Sequence, residues 1–262
     1  LPSNVTFTYA GRTDVGVLRS GNEDSYLIVP EQGLFIVADG MGGHAAGEVA
    51  SEMAVKIIAR ELGQIKDVSD LELAERMRRA IQAANAAIFE RTLREQEKRG
   101  MGTTTTALVL NGARYLIGQV GDSRAYLLRE GILLQLTKDH SYVQEQVDAG
   151  YLTPEQARTH PYSNVITRCV GANAEVSPDI YLGVLKAGDL YLLASDGLTG
   201  MLEDEDLGRV LCGDLEPQTM VDTLIAEANR RGGLDNITVI VVRIDSVEAS
   251  REDRVTASAA EV

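Results

Sequence analysis

The sequence predicts an α+β fold built on antiparallel sheets, and three observations carry that reading. Roughly ten short segments are rich in β-branched and aromatic residues, most of them are joined in pairs by tight turns, and the helical stretches arrive as pairs. Strictly alternating βα units, which a parallel sheet needs for its crossovers, are absent from the pattern.

The elements follow in order. Val5 to Thr13 alternates as a strand. Tyr26 to Val29 and Leu34 to Ala38 are two β-rich runs joined across Pro30 to Gly33, which reads as a hairpin. After Gly47 the period becomes helical: Ala50, Ala54, Ile57, Ile58 and Leu62 share a face, and Gly63 supplies the stop. A second helix over 71–99 puts Leu73, Met77, Ile81, Ala84 and Ile88 on one stripe, with a charged, solvated end from Arg94. Strands then return. Thr103 to Leu110 and Arg114 to Val120 flank Asn111-Gly112, a type I′ hairpin signal, and Tyr126 to Leu128 and Ile132 to Leu136 flank Glu130-Gly131. Residues 140–171 read as polar and mostly helical, with Thr153-Pro154-Glu155-Gln156 combining an N-cap, a first-turn proline and a capping box. Leu190 to Ala194 and Ile237 to Ile244 complete the strands, around a helix from about Pro217 to Arg230. Residues 1–245 read as one domain, and 246–262 as a disordered tail or linker stump.

Of 262 residues, 44% are hydrophobic, which is enough for a substantial core and too much for a disordered chain. Acidic residues outnumber basic ones 39 to 25, a formal charge of −14 that argues against nucleic-acid or anionic-membrane binding and suits metal cations. No run approaches the ~20 apolar residues of a membrane span, and no signal-peptide pattern opens the chain. Cys169 and Cys212 have neither zinc-like spacing nor a disulfide framework, and read as reduced thiols of a cytoplasmic protein. The chain starts at Leu1, which reads as a native start that is missing or altered.

Four aspartates share one setting, each following or preceding an apolar strand with a small residue beside it: Asp39, Asp122, Asp196 and Asp235. One such aspartate is an ordinary turn residue. Four whose strand tips converge need a counter-ion, and no lysine lies within these segments. With an all-oxygen donor set the expected ions are hard, Mg²⁺ or Mn²⁺. Two such ions about 3.5 to 4 Å apart suit a displacement at phosphorus. Asp39 is the candidate shared ligand, and Gly40 after it leaves a carbonyl accessible. A rival reading takes Gly40 to Ala45 as a dinucleotide-binding turn, but no second strand ending in an acidic residue follows the helix.

Six ordered segments then match one family: Arg19-Ser-Gly-Asn-Glu-Asp24, Asp39-Gly-Met-Gly-Gly-His44, Gly102-Thr-Thr-Thr105, Gly121-Asp-Ser-Arg124, Ser195-Asp-Gly-Leu198 and Asp235-Asn236. The chain resembles the type 2C, metal-dependent protein serine/threonine phosphatases, most closely the bacterial form, from about Tyr9 to Ile244. The resemblance implies a four-layer α-β-β-α sandwich, two antiparallel sheets flanked by helix pairs, with a helical flap at about 140–171. It implies that Asp39 bridges two metals, that the Gly40 carbonyl binds the second, and that Asp196 and Asp235 hold the first. Asp24 would act near the second metal through water, and Asp122, with the Ser163 backbone, would hold a weaker third. Arg19 matches the phosphate-binding arginine, whose guanidinium fork grips two oxygens. His44 is a candidate for protonating the leaving alkoxide, and equally for capping the helix that follows. His140 and His160 read as structural, Arg124 as a residue that orders its loop, and Thr103 to Thr106 as an ordinary strand.

The implied reaction is hydrolysis of phosphoserine or phosphothreonine on proteins without a phospho-enzyme, with Mn²⁺ or Mg²⁺. The implied partners are phosphorylated proteins and a serine/threonine kinase of the same pathway, with the phosphatase a monomer. The alternative is a catalytically silent relative that binds phosphoproteins or acts as a scaffold. Neither a Cys-x5-Arg loop nor a D-x-D-x-T run is present to support covalent phosphatase chemistry.

Overall fold

Residues 5–42, 46–63 and 68–248 are described by a computed structural model. One sheet has the strand order β1 (Val5–Asp14), β11 (Ile237–Val247), β10 (Leu190–Ala194), β7 (Arg124–Arg129), β8 (Ile132–Gln135). The other has β2 (Asp24–Val29), β3 (Leu34–Met41), β5 (Thr105–Asn111), β6 (Arg114–Val120), β9 (Asp179–Val184), with the short β4 (Gly102–Thr103) paired to the end of β3. All pairings are antiparallel.

Three apolar layers hold the sandwich together. Phe35, Val37, Ile117, Tyr191, Leu193, Ile240 and Val242 fill the space between the sheets. On the outer face of the second sheet, Leu34, Ile36 and Ala38 pack under α1 (Ala46–Leu62) and α2 (Asp70–Arg94). On the outer face of the first, Leu192, Val239 and Val241 pack under α5 (Asp196–Thr199), α6 (Asp204–Leu211) and α7 (Pro217–Arg230). The central strands are therefore covered on both faces, which is why they read as unbroken apolar runs. The four-layer architecture expected from the sequence is present, with its helical insertion reduced to α3 (Tyr142–Asp148) and α4 (Pro154–Arg158).

Local chemistry explains where elements begin and end. Gly63 takes φ +57 after α1, the left-handed stop that only glycine adopts without strain. The capping box at Thr153 forms as expected, but on a helix of five residues. The segment 140–171 is thus mostly loop, because Gly150 at φ +75 ends α3 and Pro161 closes the run after α4. The second helix stops at Arg94, short of Arg99, since no apolar stripe extends beyond Ile88 to hold it. The first hairpin does not take the expected type I′ turn. Only the first central residue of Gly112-Ala113 has positive φ, as in type II′, whereas Glu130 and Gly131 are both positive, as in type I′. Strand β9 and helix α6 escaped the sequence reading because each is short and half-exposed, with too few buried positions to set a period. The expected tail begins later than Ser246, since β11 runs to Val247, and 249–262 lie outside the described residues. No helix among the described residues is long and apolar enough to cross a membrane.

Candidate metal centre

The antiparallel topology brings five carboxylates to one end of the sandwich. Asp24, first residue of β2, stands directly opposite Asp39 near the end of β3. Side chains alternate along a strand, so Asp39 continues the inward row of Phe35 and Val37, and Asp24 that of Ile28 and Tyr26. At the same end, β6 leaves its sheet and β7 enters the other, with Asp122 in the connection. Asp196 opens α5 straight after β10, and Asp235 precedes β11.

Two glycines permit the approach of these loops. A Cβ on Gly197 would fall 1.9 Å from the Asn236 carbonyl oxygen, so the Asp196 and Asp235 loops meet backbone to backbone. A Cβ on Gly40 would lie 2.2 Å from the Gly47 oxygen and 2.4 Å from that of Glu23. Gly40 is buried in that wedge, where no side chain would fit.

The electrostatics are those of crowded like charges. Burial, then the charges of Asp24, Asp196 and Asp122, raise the Asp39 carboxyl well above the usual range. Burial likewise pushes Asp24 up to about 7, opposed by hydrogen bonds from Thr238 and Ser195 and reinforced by Asp196 and Asp235. Asp122 is raised by burial and then by Asp196 and Asp139. Asp196 is raised by burial and by Asp235, while Asp39 works the other way. Asp24 Oδ1 and Asp196 Oδ1 are buried with no hydrogen-bond partner among the described residues. An orphaned carboxylate oxygen in a low-dielectric site is costly unless a cation takes it.

The cations nearby are arginines rather than lysines. Arg19 Nη2 donates to Asp235 Oδ2 at 2.6 Å, with its side chain half-exposed at the rim. Arg124 forks onto Asp139 at 2.7 to 3.0 Å and donates to the Tyr126 hydroxyl, which ties β7 to the loop before the flap as expected. Glu23, not singled out in the sequence, completes the acidic rim; burial raises its carboxyl, Arg19 opposes that, and Asp235 and Glu48 add to it.

The remaining candidates separate. Ser163 keeps to its own loop, its N–H donating to the His160 carbonyl and its hydroxyl to Asn164 Oδ1. No hydrogen bond among the described residues joins it to the aspartates. His44 lies outside the described residues. His140 is structural: its Nδ1 accepts from the Gly121 N–H at 3.0 Å, which leaves the proton on Nε2 to face Asp179. His160 packs with Tyr142 and Tyr162 inside the flap.

Several positioning residues were missed. Thr103 and Thr104 are more than strand residues. Thr104 Oγ1 accepts from the Asp39 N–H at 2.9 Å and pairs with Ser123 Oγ at 2.7 Å, while Thr103 Oγ1 donates to the Asp39 carbonyl at 2.8 Å. These hydroxyls tie the backbone of Asp39 to the loop of Asp122. Ser195 Oγ donates to Asp24 Oδ2 at 2.8 Å and accepts from the Thr238 N–H at 2.9 Å. Asn236 holds the Arg19 loop, donating to the carbonyls of Val15 and Gly21 and accepting from the Glu23 N–H. The available signal was a run of four threonines in a strand with no polar face, since buried hydroxyls need partners.

Among the described residues, no three His, Cys, Asp or Glu side chains are already closed into a ligand cage. Asp39 and Asp196 face each other, and Asp235 is held by Arg19. The donor set nevertheless fits hard divalent cations: it is all oxygen, anionic, and carries two buried unpartnered oxygens.

Comparison with known proteins agrees with this arrangement. A family model described as protein phosphatase 2C matches residues 19–228. The serine/threonine protein phosphatase PstP of Mycobacterium tuberculosis is 40% identical over 251 residues, covering 96% of this chain and 48% of PstP. The chain thus spans about half the length of that relative. The serine/threonine phosphatase stp of Listeria monocytogenes is 38% identical over 247 residues, covering 92% of this chain and 97% of stp. Among solved structures, M. tuberculosis PstP/Ppp superposes with a TM-score of 0.85 at 41% identity, over 93% of this chain and 99% of that one. The catalytic domain of PstP has also been crystallised with two manganese ions, at a TM-score of 0.83 and 40% identity over 92% of this chain and 99% of that one. Since the family model covers most of its length and relatives near 40% identity span nearly all of it, the chain belongs to the protein phosphatase 2C family.

Proposed function

We propose that this chain hydrolyses phosphoserine and phosphothreonine on proteins, at a two-metal centre at the carboxylate end of the sandwich. One observation carries the reading: buried carboxylates that face one another, with unpartnered oxygens, lie beside an exposed guanidinium. Asp39 and the Gly40 carbonyl, with Asp196 and Asp235, would hold two Mn²⁺ or Mg²⁺ ions, and Asp122 a weaker third. The two manganese ions of the PstP catalytic domain support that choice. Bound there, such ions offset phosphoryl charge and make water a competent nucleophile near neutral pH.

The chain's own groups do the rest. Arg19, tethered at the rim by Asp235, presents a planar fork to two phosphate oxygens. Asp24, held by Ser195, keeps a carboxyl inside the site where it can accept or return a proton. Thr103 and Thr104 fix the Asp39 backbone, so the carboxylate needs no rearrangement as charge develops. A phosphoprotein substrate at this rim places the enzyme opposite a serine/threonine kinase, and we assign it to the cytoplasm as a monomer.

The test is phosphate release from a phosphothreonine peptide with Mn²⁺, with Mg²⁺ and with EDTA. Turnover that needs metal and collapses in Asp39→Asn and Asp196→Asn is the expected result. Absence of turnover from folded, metal-loaded protein would instead make the chain a phosphoprotein-binding module.

A further inference from the structure

We propose that Val17, Leu18 and Leu234 form a docking ridge for an apolar side chain beside the phosphorylated residue of a peptide substrate. The proposal rests on the phosphatase reading above and names the substrate feature that reading leaves open. These three side chains are exposed by 60%, 67% and 53%, on two loops that are otherwise tightly built. The N–H groups of Val17 and Leu18 both donate to the Gly233 carbonyl, at 2.8 and 3.2 Å. A Cβ on Gly16 would lie 2.2 Å from the Asp235 carbonyl oxygen, and Asn236 bonds the Val15 and Gly21 carbonyls. The ridge is therefore held rigid while its apolar tips face water. Adjoining apolar groups held in fixed geometry offer a preformed contact surface that costs little ordering on binding.

The occupant follows from what adjoins the ridge. Leu18 precedes Arg19 and Leu234 precedes Asp235, and those two charged residues are bonded to each other. A ligand seated here thus meets the phosphate-gripping guanidinium within one residue of the apolar tips. An extended peptide advances about 3.3 Å per residue, so with its phosphate at Arg19 the flanking side chains pass over the ridge. Glu23 and Asp235 on the same rim, in a chain of net charge −14, oppose acidic flanks. The class that fits is a phosphopeptide with a leucine-like residue next to the phosphoresidue.

Phosphothreonine peptides that differ only in carrying Leu or Ser beside the phosphothreonine provide the test. Their kcat/KM values with Mn²⁺ are compared, with p-nitrophenyl phosphate as a substrate that has no flank. The leucine-flanked peptide should be preferred about tenfold. That ratio, taken within each variant, should fall toward one in Leu18→Ser and in Leu234→Ser. A wild-type ratio near one, or a preference that survives both substitutions, would overturn the ridge while turnover of p-nitrophenyl phosphate left the phosphatase reading standing. No turnover of any of these substrates by metal-loaded protein would overturn that reading, and the ridge with it.

Discussion

Asp189 and Asp24 are both buried aspartates at the edge of an apolar strand, and they are built in opposite ways. Asp189 receives Arg129 through Nε at 2.7 Å and Nη2 at 2.6 Å, the Lys186 N–H at 2.8 Å and the Tyr191 hydroxyl at 3.3 Å. Its charge is matched and its lone pairs are filled. Asp24 has one oxygen bonded to Ser195 and the other to nothing among the described residues, and its charged neighbours are aspartates. Burial alone does not separate a structural carboxylate from a working one. The sign of what surrounds it does, because a fold selected only for stability pairs its buried charges.

Substitution of one carboxylate in each region breaks the comparison hardest. Asp39→Asn should lower phosphate release about 10³-fold and leave the metal-free fold as stable as before or more so, since it removes a carboxyl crowded by like charges. Asp189→Asn should leave kcat nearly unchanged and destabilise by about 3 kcal/mol, because it strands the Arg129 guanidinium. Phosphate release with Mn²⁺ and urea unfolding in EDTA read the two effects.

Proton and metal linkage sharpens the same contrast. Asp24, pushed up to about 7, holds its proton in the fold at pH values where an unfolded-chain carboxylate at 3.8 has lost it. Its contribution to stability is therefore full below about 3.8 and is lost as pH rises through about 7. Metal-stripped protein should show urea midpoints that fall from pH 4 to pH 8, with a shallower fall in Asp24→Asn. Added Mn²⁺ should restore stability at the upper end, by about 2.7 kcal/mol at a hundredfold excess over Kd.

The smallest effect lies in two adjacent hydroxyls. Thr104 supports the Asp39 N–H, so Thr104→Val should cost about 2 kcal/mol and lower kcat as well. Thr105 Oγ1 is buried without a partner among the described residues, so Thr105→Val should be neutral or stabilise by up to about 1 kcal/mol. Thermal unfolding of the pair decides whether hydroxyl content or hydroxyl placement matters in this strand.

The same contrast explains what could be read from the chain. The two sheets were legible because Leu34 to Ala38, Leu190 to Ala194 and Ile237 to Ile244 are apolar on both faces, which only covered strands allow. The helix stripes were legible because each helix buries one face only, down to Met77 and Ile88. The aspartate rule was less discriminating than it looked. Gly188-Asp189 before the run Leu190 to Ala194 satisfies it equally, and only the position of Arg129, 60 residues away, marks that residue as structural. Thr104 and Ser195 were opaque because their partners, Asp39 and Thr238, come from distant strands. Glu130 hid a type I′ turn because it takes φ +53, a conformation that glutamate seldom adopts.

The pairing of β2 with β3 makes a remote loop the gauge of the active end. Six consecutive partners, from Val29 with Leu34 to Asp24 with Asp39, run from the Pro30 to Gly33 connection to the two carboxylates. Over six residues that is roughly 20 Å. A slip of one position turns every side chain of a strand to its other face, so Asp39 would point toward α1 and Ala38 would replace it. The length of a surface connection that touches no substrate thus determines whether the catalytic end exists. Single-residue insertions or deletions there belong with active-site lesions, although on a surface map they would pass as harmless.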